Sequence, residues 1–305
     1  MRTSSSAGTS SSLFALNCLP STNDEDFLLR SRREGLTDGT TVLLALTFDA
    51  AAAPIRSGRS GGGSAERTLV VANAGDCRAV MCRSSGLAVR LSDDHKPGRP
   101  DERRRITSAG GSVVDLHGVT RVTTEKGAQF LAGSGRAGAG GATFLSVSRG
   151  FGDIALKQPH DLVTATPDVV ATGVGEDDCF LIVACDGIWD VLSDQEACDC
   201  ALVALTDCHA SAEQAATAVV REAFKRGSQD NLTATCLLLQ PDLDGEDSAA
   251  AAAGASSSGG EGPSDRALAK ARQGLEIREE ERVAYHKHVQ AGEKVNCVDA
   301  DLDMF

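Results

Sequence analysis

Aromatic side chains make up only 4% of the 305 residues, with one Trp and one Tyr, while Gly numbers 32. A core needs larger side chains, so part of the chain is expected to be small-residue linker that buries little. No apolar run approaches the roughly 20 residues that cross a bilayer as a helix, and no apolar leader core opens the sequence. The ten cysteines lack a Cys-x-x-Cys pair followed by a second pair or by His-x-x-x-His, which argues against a structural zinc site. They sit mostly inside apolar runs, as in Val183-Ala184-Cys185 and Thr235-Cys236-Leu237, and read as small buried hydrophobes. That usage favours a reducing compartment, so a soluble, intracellular protein, cytoplasmic or nuclear, is expected. Basic charge is also short, 30 residues against 43 acids for a net charge of −13. The deficit argues against a nucleic-acid backbone as partner and suits a protein that concentrates cations at carboxylates. Residues 241–305 hold 14 of the acids and 7 of the bases, so about half the imbalance lies in the tail and says little about a site.

At 41% hydrophobic content the chain can still build one sizeable core. Residues 1–12 are Ser-rich and read as disordered, and Phe14 to Arg33 reads as one helix. Thr41 to Phe48, Thr68 to Ala74 and Cys77 to Arg83 are short, apolar and β-prone, with Gly75-Asp76 read as a tight hairpin turn between the last two. Small-residue stretches at about 50–66 and 128–142 read as loop insertions. Pro100 to Ala109 has a proline at its first turn and Gly110-Gly111 as a stop, which specify a short helix. Ser193 to Leu205 and Ser211 to Lys225 are two more helices, and Thr233 to Leu239 returns to a strand. Grouped rather than alternating elements point to an α+β fold with helices outside antiparallel sheets. An acidic, small-residue linker is expected over 241–263, followed by a charged helix and tail over 264–305.

Carboxylates are the most informative feature. The apolar run Cys179 to Cys185 ends in Asp186-Gly187-Ile188-Trp189-Asp190, so a rigid strand end projects two acids. Asp230 stands in Gly227-Ser228-Gln229-Asp230-Asn231 just before a strand, and Asp76 stands at the Gly75-Asp76 turn. Such oxygen donors suit hard divalent cations, which keep several waters. Each acid taken singly also has a bland reading, because Asp is common in turns, where its side chain bonds nearby amides.

The ordered segments Asp38-Gly-Thr-Thr, Val71-Ala-Asn-Ala-Gly-Asp-Cys-Arg, Leu91-Ser-Asp-Asp-His-Lys-Pro97, Leu145-Ser-Val-Ser-Arg-Gly-Phe-Gly-Asp153, Asp186-Gly-Ile-Trp-Asp190 and Gly227-Ser-Gln-Asp-Asn-Leu-Thr233 resemble the metal-dependent protein Ser/Thr phosphatases of the PPM, or type 2C, family. The resemblance makes 13–240 a partial phosphatase domain. It implies a β-sandwich flanked by helices, in α-β-β-α layers, that hydrolyses phosphoserine and phosphothreonine in phosphoprotein substrates; a monomer is expected. It further implies Mg²⁺ or Mn²⁺ as cofactor, with Asp186 and Asp230 in the main dinuclear site and Asp76 and Asp190 helping to hold a weaker third cation. In such a site a metal-activated water attacks phosphorus in line. His95 is read as structural, Arg149 as an organising ion pair and Cys185 as core packing.

The family's first motifs, an Arg and a Glu-Asp pair followed by Asp-Gly-His-Gly, have no counterpart ahead of these segments, and Asp-Gly-His-Gly occurs nowhere in the sequence. Asp38-Gly39 is followed by Thr40-Thr41 and does not replace them. The family's general acid and phosphate-binding Arg therefore have no counterpart here, and no catalytic residue beyond the metal ligands is assigned. A shortened form of an ordinary phosphatase, with its sandwich incomplete on the N-terminal side and little activity of its own, is expected. A catalytically inactive phosphatase-like binding or regulatory module is the alternative.

Overall fold

The computed structural model describes residues 22–49, 67–134, 142–207 and 211–240. The Ser-rich start, the first insertion, the linker and the charged tail helix lie outside the described residues. In chain order the elements are α1 (22–34), β1 (Gly39–Thr40), β2 (Val42–Asp49), β3 (Arg67–Ala74), β4 (Arg78–Arg83), β5 (Ala88–Arg90), α2 (Pro100–Ser108), β6 (Gly111–Leu116), β7 (Val119–Thr124) and α3 (Glu125–Ser134). They continue as β8 (Phe151–Gly152), α4 (Ile154–Lys157), β9 (Asp168–Val174), β10 (Asp178–Ala184), α5 (Asp186–Trp189), α6 (Asp194–Asp207), α7 (Ala212–Lys225) and β11 (Ala234–Leu238). The result is the expected α+β class.

The described residues divide into two compact units, drawn from Met1–Ala79 with Leu91–Gly175 and from Val80–Arg90 with Glu176–Phe305. In the first, β3 lies between β2 and β9, antiparallel to both. Seven successive β3 residues are buried, the pattern of a central strand covered on both faces rather than one alternating between core and water. β6 and β7 form a hairpin closed by His117-Gly118, both at positive φ of 55° and 82°, as a mirror-image turn demands. His117, unlike Asn or Asp, does not advertise such a turn in the sequence. α1 is anchored by Asp24, which accepts from Gly152 N–H at 2.7 Å and pairs with the buried Lys157 ammonium at 2.5 Å.

In the second unit the strand order is β11-β10-β4-β5. Phe180, Ile182 and Ala184 of β10 pack with Ala197, Ala201 and Leu202 of α6 and Ala215, Val219 and Ala223 of α7, all buried. α7 starts at a capping box, in which Ser211 Oγ accepts from Gln214 N–H and the Gln214 side chain returns to Ser211 N–H. Burial pushes the Cys179 and Cys236 thiols up to about 12, which fits packing rather than reactivity. Among the described residues no helix is long and apolar enough to cross a membrane.

Two expectations need correction. Gly75-Asp76 closes no hairpin, because β3 and β4 belong to different sheets. The polar groups of that turn are taken instead by the side chains of Asn73 and His95 and by the His95 backbone. Gly75 N–H meets His95 Nδ1 at 3.2 Å, and Gly75 O accepts from Asn73 Nδ2 at 3.1 Å and from His95 N–H at 2.9 Å. The stretch read as a second loop insertion is partly helical, since α3 runs through Ser134. Its Glu, Lys, Ala, Gln and Leu are good helix formers that outweigh two glycines.

Candidate metal centre

The antiparallel register of β10 and β11 pairs Ala184 with Ala234. The segment leaving β10 and the segment entering β11 therefore emerge side by side, and these are the segments that carry Asp186, Asp190 and Asp230. Cys185 N–H donates to Thr233 O at 3.2 Å, Cys185 Sγ to Asn231 O at 3.2 Å, and Thr233 N–H to Cys185 Sγ at 3.3 Å. Cys185 is thus a half-buried bridge between the two loops, not the core-packing residue expected from its apolar run. Ser228 Oγ adds a bond to Gly187 O at 2.7 Å.

Gly187 lets the loops approach. A Cβ built there would lie 2.5 Å from Asn231 O and 3.2 Å from Asp230 Cβ. Behind the loops, the buried Trp189 donates its indole N–H to Ala184 O at 2.8 Å, and Asp190 N–H closes the single turn of α5 on Asp186 O at 2.8 Å. Asp186 is half-buried, while Asp190 and Asp230 are exposed. Asp230 Oδ1 accepts from Asn231 N–H at 2.6 Å, which fixes the carboxylate at its turn.

Asp76 belongs to the first unit and is buried. Lys96 Nζ lies 2.5 Å from its Oδ2. Arg78 grips Asp94 with both arms, at 2.9 and 2.7 Å, and Ser92 Oγ accepts from Ala79 N–H at 2.9 Å. His95, with no exposed surface, places Nε2 3.0 Å from Asp168 Oδ2. Burial first, and then the field of Arg149, pull its pKa below the ordinary value although Asp168 opposes them. A neutral imidazole that accepts at Nδ1 from Gly75 and donates at Nε2 to Asp168 satisfies both contacts.

Arg149 completes this brace, 2.7 Å from Glu102 and 2.8 Å from Asp168. Burial alone would raise the Glu102 carboxyl, but hydrogen bonds from Arg149, Ser148 and Arg105 hold it at about 2. His95 and Arg149 are therefore structural in geometry. In the sequence Glu102 stands only as an acid in the first turn of a helix, which looks like an ordinary helix-dipole partner and gives no sign of this brace.

Among the described residues no group of three or more His, Cys, Asp or Glu side chains is arranged to hold a metal ion. The donors present are nonetheless of the right kind. Asp186 and Asp230 are hard carboxylates on loops brought together by Gly187, and they fit part of a divalent cation's shell, the rest of which water can supply. Asp76 fits in a second sense, because an ammonium already stands at its oxygen.

The family described as Protein phosphatase 2C matches residues 19–232. "Probable protein phosphatase 2C 22" of Arabidopsis thaliana is 37% identical over 227 residues, 72% of this chain and 47% of that protein. "Probable protein phosphatase 2C 59" of Oryza sativa subsp. japonica is 42% identical over 172 residues, 56% of this chain and 43% of that protein. The chain thus spans a little under half the length of these curated relatives. Among solved structures, a serine-threonine phosphatase 2C from Toxoplasma gondii superposes with a TM-score of 0.59 at 22% identity, covering 79% of this chain and 72% of that one. A C. elegans sex determining protein gives a TM-score of 0.54 at 21% identity, covering 74% and 46%. At such identities the likeness is one of fold. Sequence match, fold and the paired strand-end carboxylates agree, and the chain belongs to the protein phosphatase 2C family.

Proposed function

We propose that this chain is the phosphatase part of a metal-dependent protein serine/threonine phosphatase, acting on phosphoserine and phosphothreonine in protein substrates with Mg²⁺ or Mn²⁺. The observation that carries the reading is the β10–β11 register, which sets Asp186 beside the Asp230 loop. Asp186 and Asp230 are the main cation donors, and Asp190 and Asp76 are further, weaker ones. A divalent cation held by the Asp186 and Asp230 loops would supply Lewis acidity toward a phosphoryl oxygen and a more acidic water. The chain's own part is to hold the carboxylates in place. Gly187 admits the close approach, Cys185 and Ser228 tie the loops, and Trp189 anchors the turn on its strand. The seven described cysteines are all free thiols, which supports a reducing, intracellular setting. We propose a monomer.

The incomplete ligand group among the described residues favours a second reading, in which the chain binds phosphoprotein without turning it over. Mn²⁺ binding, followed by electron paramagnetic resonance, tests the donor assignment. Asp186→Ala and Asp230→Ala are each expected to weaken the tighter Mn²⁺ phase at least about tenfold, since each removes a charged ligand. Unchanged binding in both variants would sink the assignment. Hydrolysis of a phosphothreonine peptide by the 305-residue chain separates the two readings. Asp186-dependent turnover supports the enzyme, whereas peptide binding with no turnover supports the binding module.

A further inference from the structure

The side chain of Asp76 is 6% exposed and that of Lys96 36% exposed, with Nζ 2.5 Å from Oδ2. A buried carboxylate without a counter-charge is costly, so the ammonium stabilises the turn as it stands. Arg78, two residues on, is committed to Asp94 by two hydrogen bonds.

The loop that carries Lys96 is also held by the hydrogen bonds of His95. His95 N–H donates to Gly75 O at 2.9 Å, and His95 O accepts from Ser148 N–H at 2.8 Å and from Ser148 Oγ at 2.9 Å. The ammonium sits on a flexible four-carbon stem and reaches water, so it can leave while the backbone stays.

We propose that Lys96 is a displaceable counter-ion of Asp76, which competes with a divalent cation for Oδ2 and sets how weakly that carboxylate binds it. The inference rests on the reading of Asp76 as a cation donor. Lys96 is a positioning and affinity-setting residue, since it touches the donor and not the reacting atoms. The competition is electrostatic. A divalent ion gains more from a carboxylate than an ammonium does, but it must also displace the charge already there.

Lys96→Met removes the charge and keeps most of the stem, whereas Lys96→Gln keeps a hydrogen-bond donor for Asp76. Mn²⁺ titration of the full 305-residue chain, followed by electron paramagnetic resonance, is expected to show the weaker binding phase tightened roughly three- to tenfold in both variants. The gain is expected to vanish in the Lys96→Met, Asp76→Asn double variant. Unchanged or weaker binding in a folded Lys96 variant overturns the proposal, as does a gain that survives Asp76→Asn. Loss of the folded circular-dichroism signal in both single variants also overturns it, because Lys96 would then be a fixed part of the fold. Failure of the wider functional reading shows elsewhere, as insensitivity of the tighter phase to Asp186→Ala and Asp230→Ala.

Discussion

The turn around Asp76 and the loops around Asp186 and Asp230 both deliver carboxylates from strand ends, yet they hold them by opposite means. The first is braced by charge. Asp76 meets Lys96, Asp94 meets Arg78, and Glu102 and the exposed Asp168 meet Arg149, so that each pair has at least one largely buried member. The second is braced by backbone and close approach, through Cys185, Ser228 and the missing Cβ of Gly187, and leaves Asp190 and Asp230 in water. Paired, buried charges hold a fold in place, whereas backbone bonds and close approach can hold a loop while its carboxylates stay exposed.

The largest expected effect comes from breaking the charged brace. Glu102→Gln leaves Arg149 and Arg105 without their shared counter-charge and is expected to destabilise the chain by about 3 kcal/mol at neutral pH, read by urea unfolding. The same residue sets an acid limit. Its folded pKa, about 2, lies below the ordinary 4.5, so its stabilisation is complete above about pH 5 and is lost as pH falls towards 2. The loss amounts to about 3 kcal/mol. His95 acts in the same direction at milder pH. Its folded pKa lies below the ordinary 6.5, so the unfolded chain takes up the proton first and stability falls as pH drops through that value. In Glu102→Gln the steep acid part of the profile is expected to flatten.

Spoiling the close approach in the second region ranks next. Gly187→Ala places a methyl 2.5 Å from Asn231 O and is expected to cost about 1–3 kcal/mol in thermal melting. Mn²⁺ affinity should fall with it, as the two loops are forced apart. The smallest effect is expected at an exposed donor. Asp230→Asn keeps an oxygen for Asn231 N–H and should shift stability by less than about 0.5 kcal/mol, while still weakening Mn²⁺ binding. A large loss of stability there would erase the distinction between the two regions.

The second region was the more legible in the sequence. The apolar run up to Cys185, broken by Asp-Gly, and the Gly-Ser turn before Thr233 are local signals, and local signals survive without coordinates. Register was not available. That β10 pairs with β11 follows from packing between segments some fifty residues apart. The first region was legible only in part. Gly75-Asp76 looked like a hairpin turn because two apolar runs flank two turn residues, but pairing partners are chosen by the whole sheet. Lys96 lies 20 residues from Asp76 and Arg149 lies 47 from Glu102, and no periodicity links such pairs. Cys185 was misjudged for a related reason, because an apolar neighbourhood in sequence says nothing of the carbonyl that a thiol meets across a loop.

Trp189 is the only tryptophan in the chain, and its indole is bonded to the last residue of the strand that precedes Asp186. The protein therefore carries a single intrinsic fluorophore in the same one-turn helix as Asp186, with Asp190 next to it. Its emission reports on that segment against a background of one tyrosine, so events at the carboxylates can be followed optically without a label.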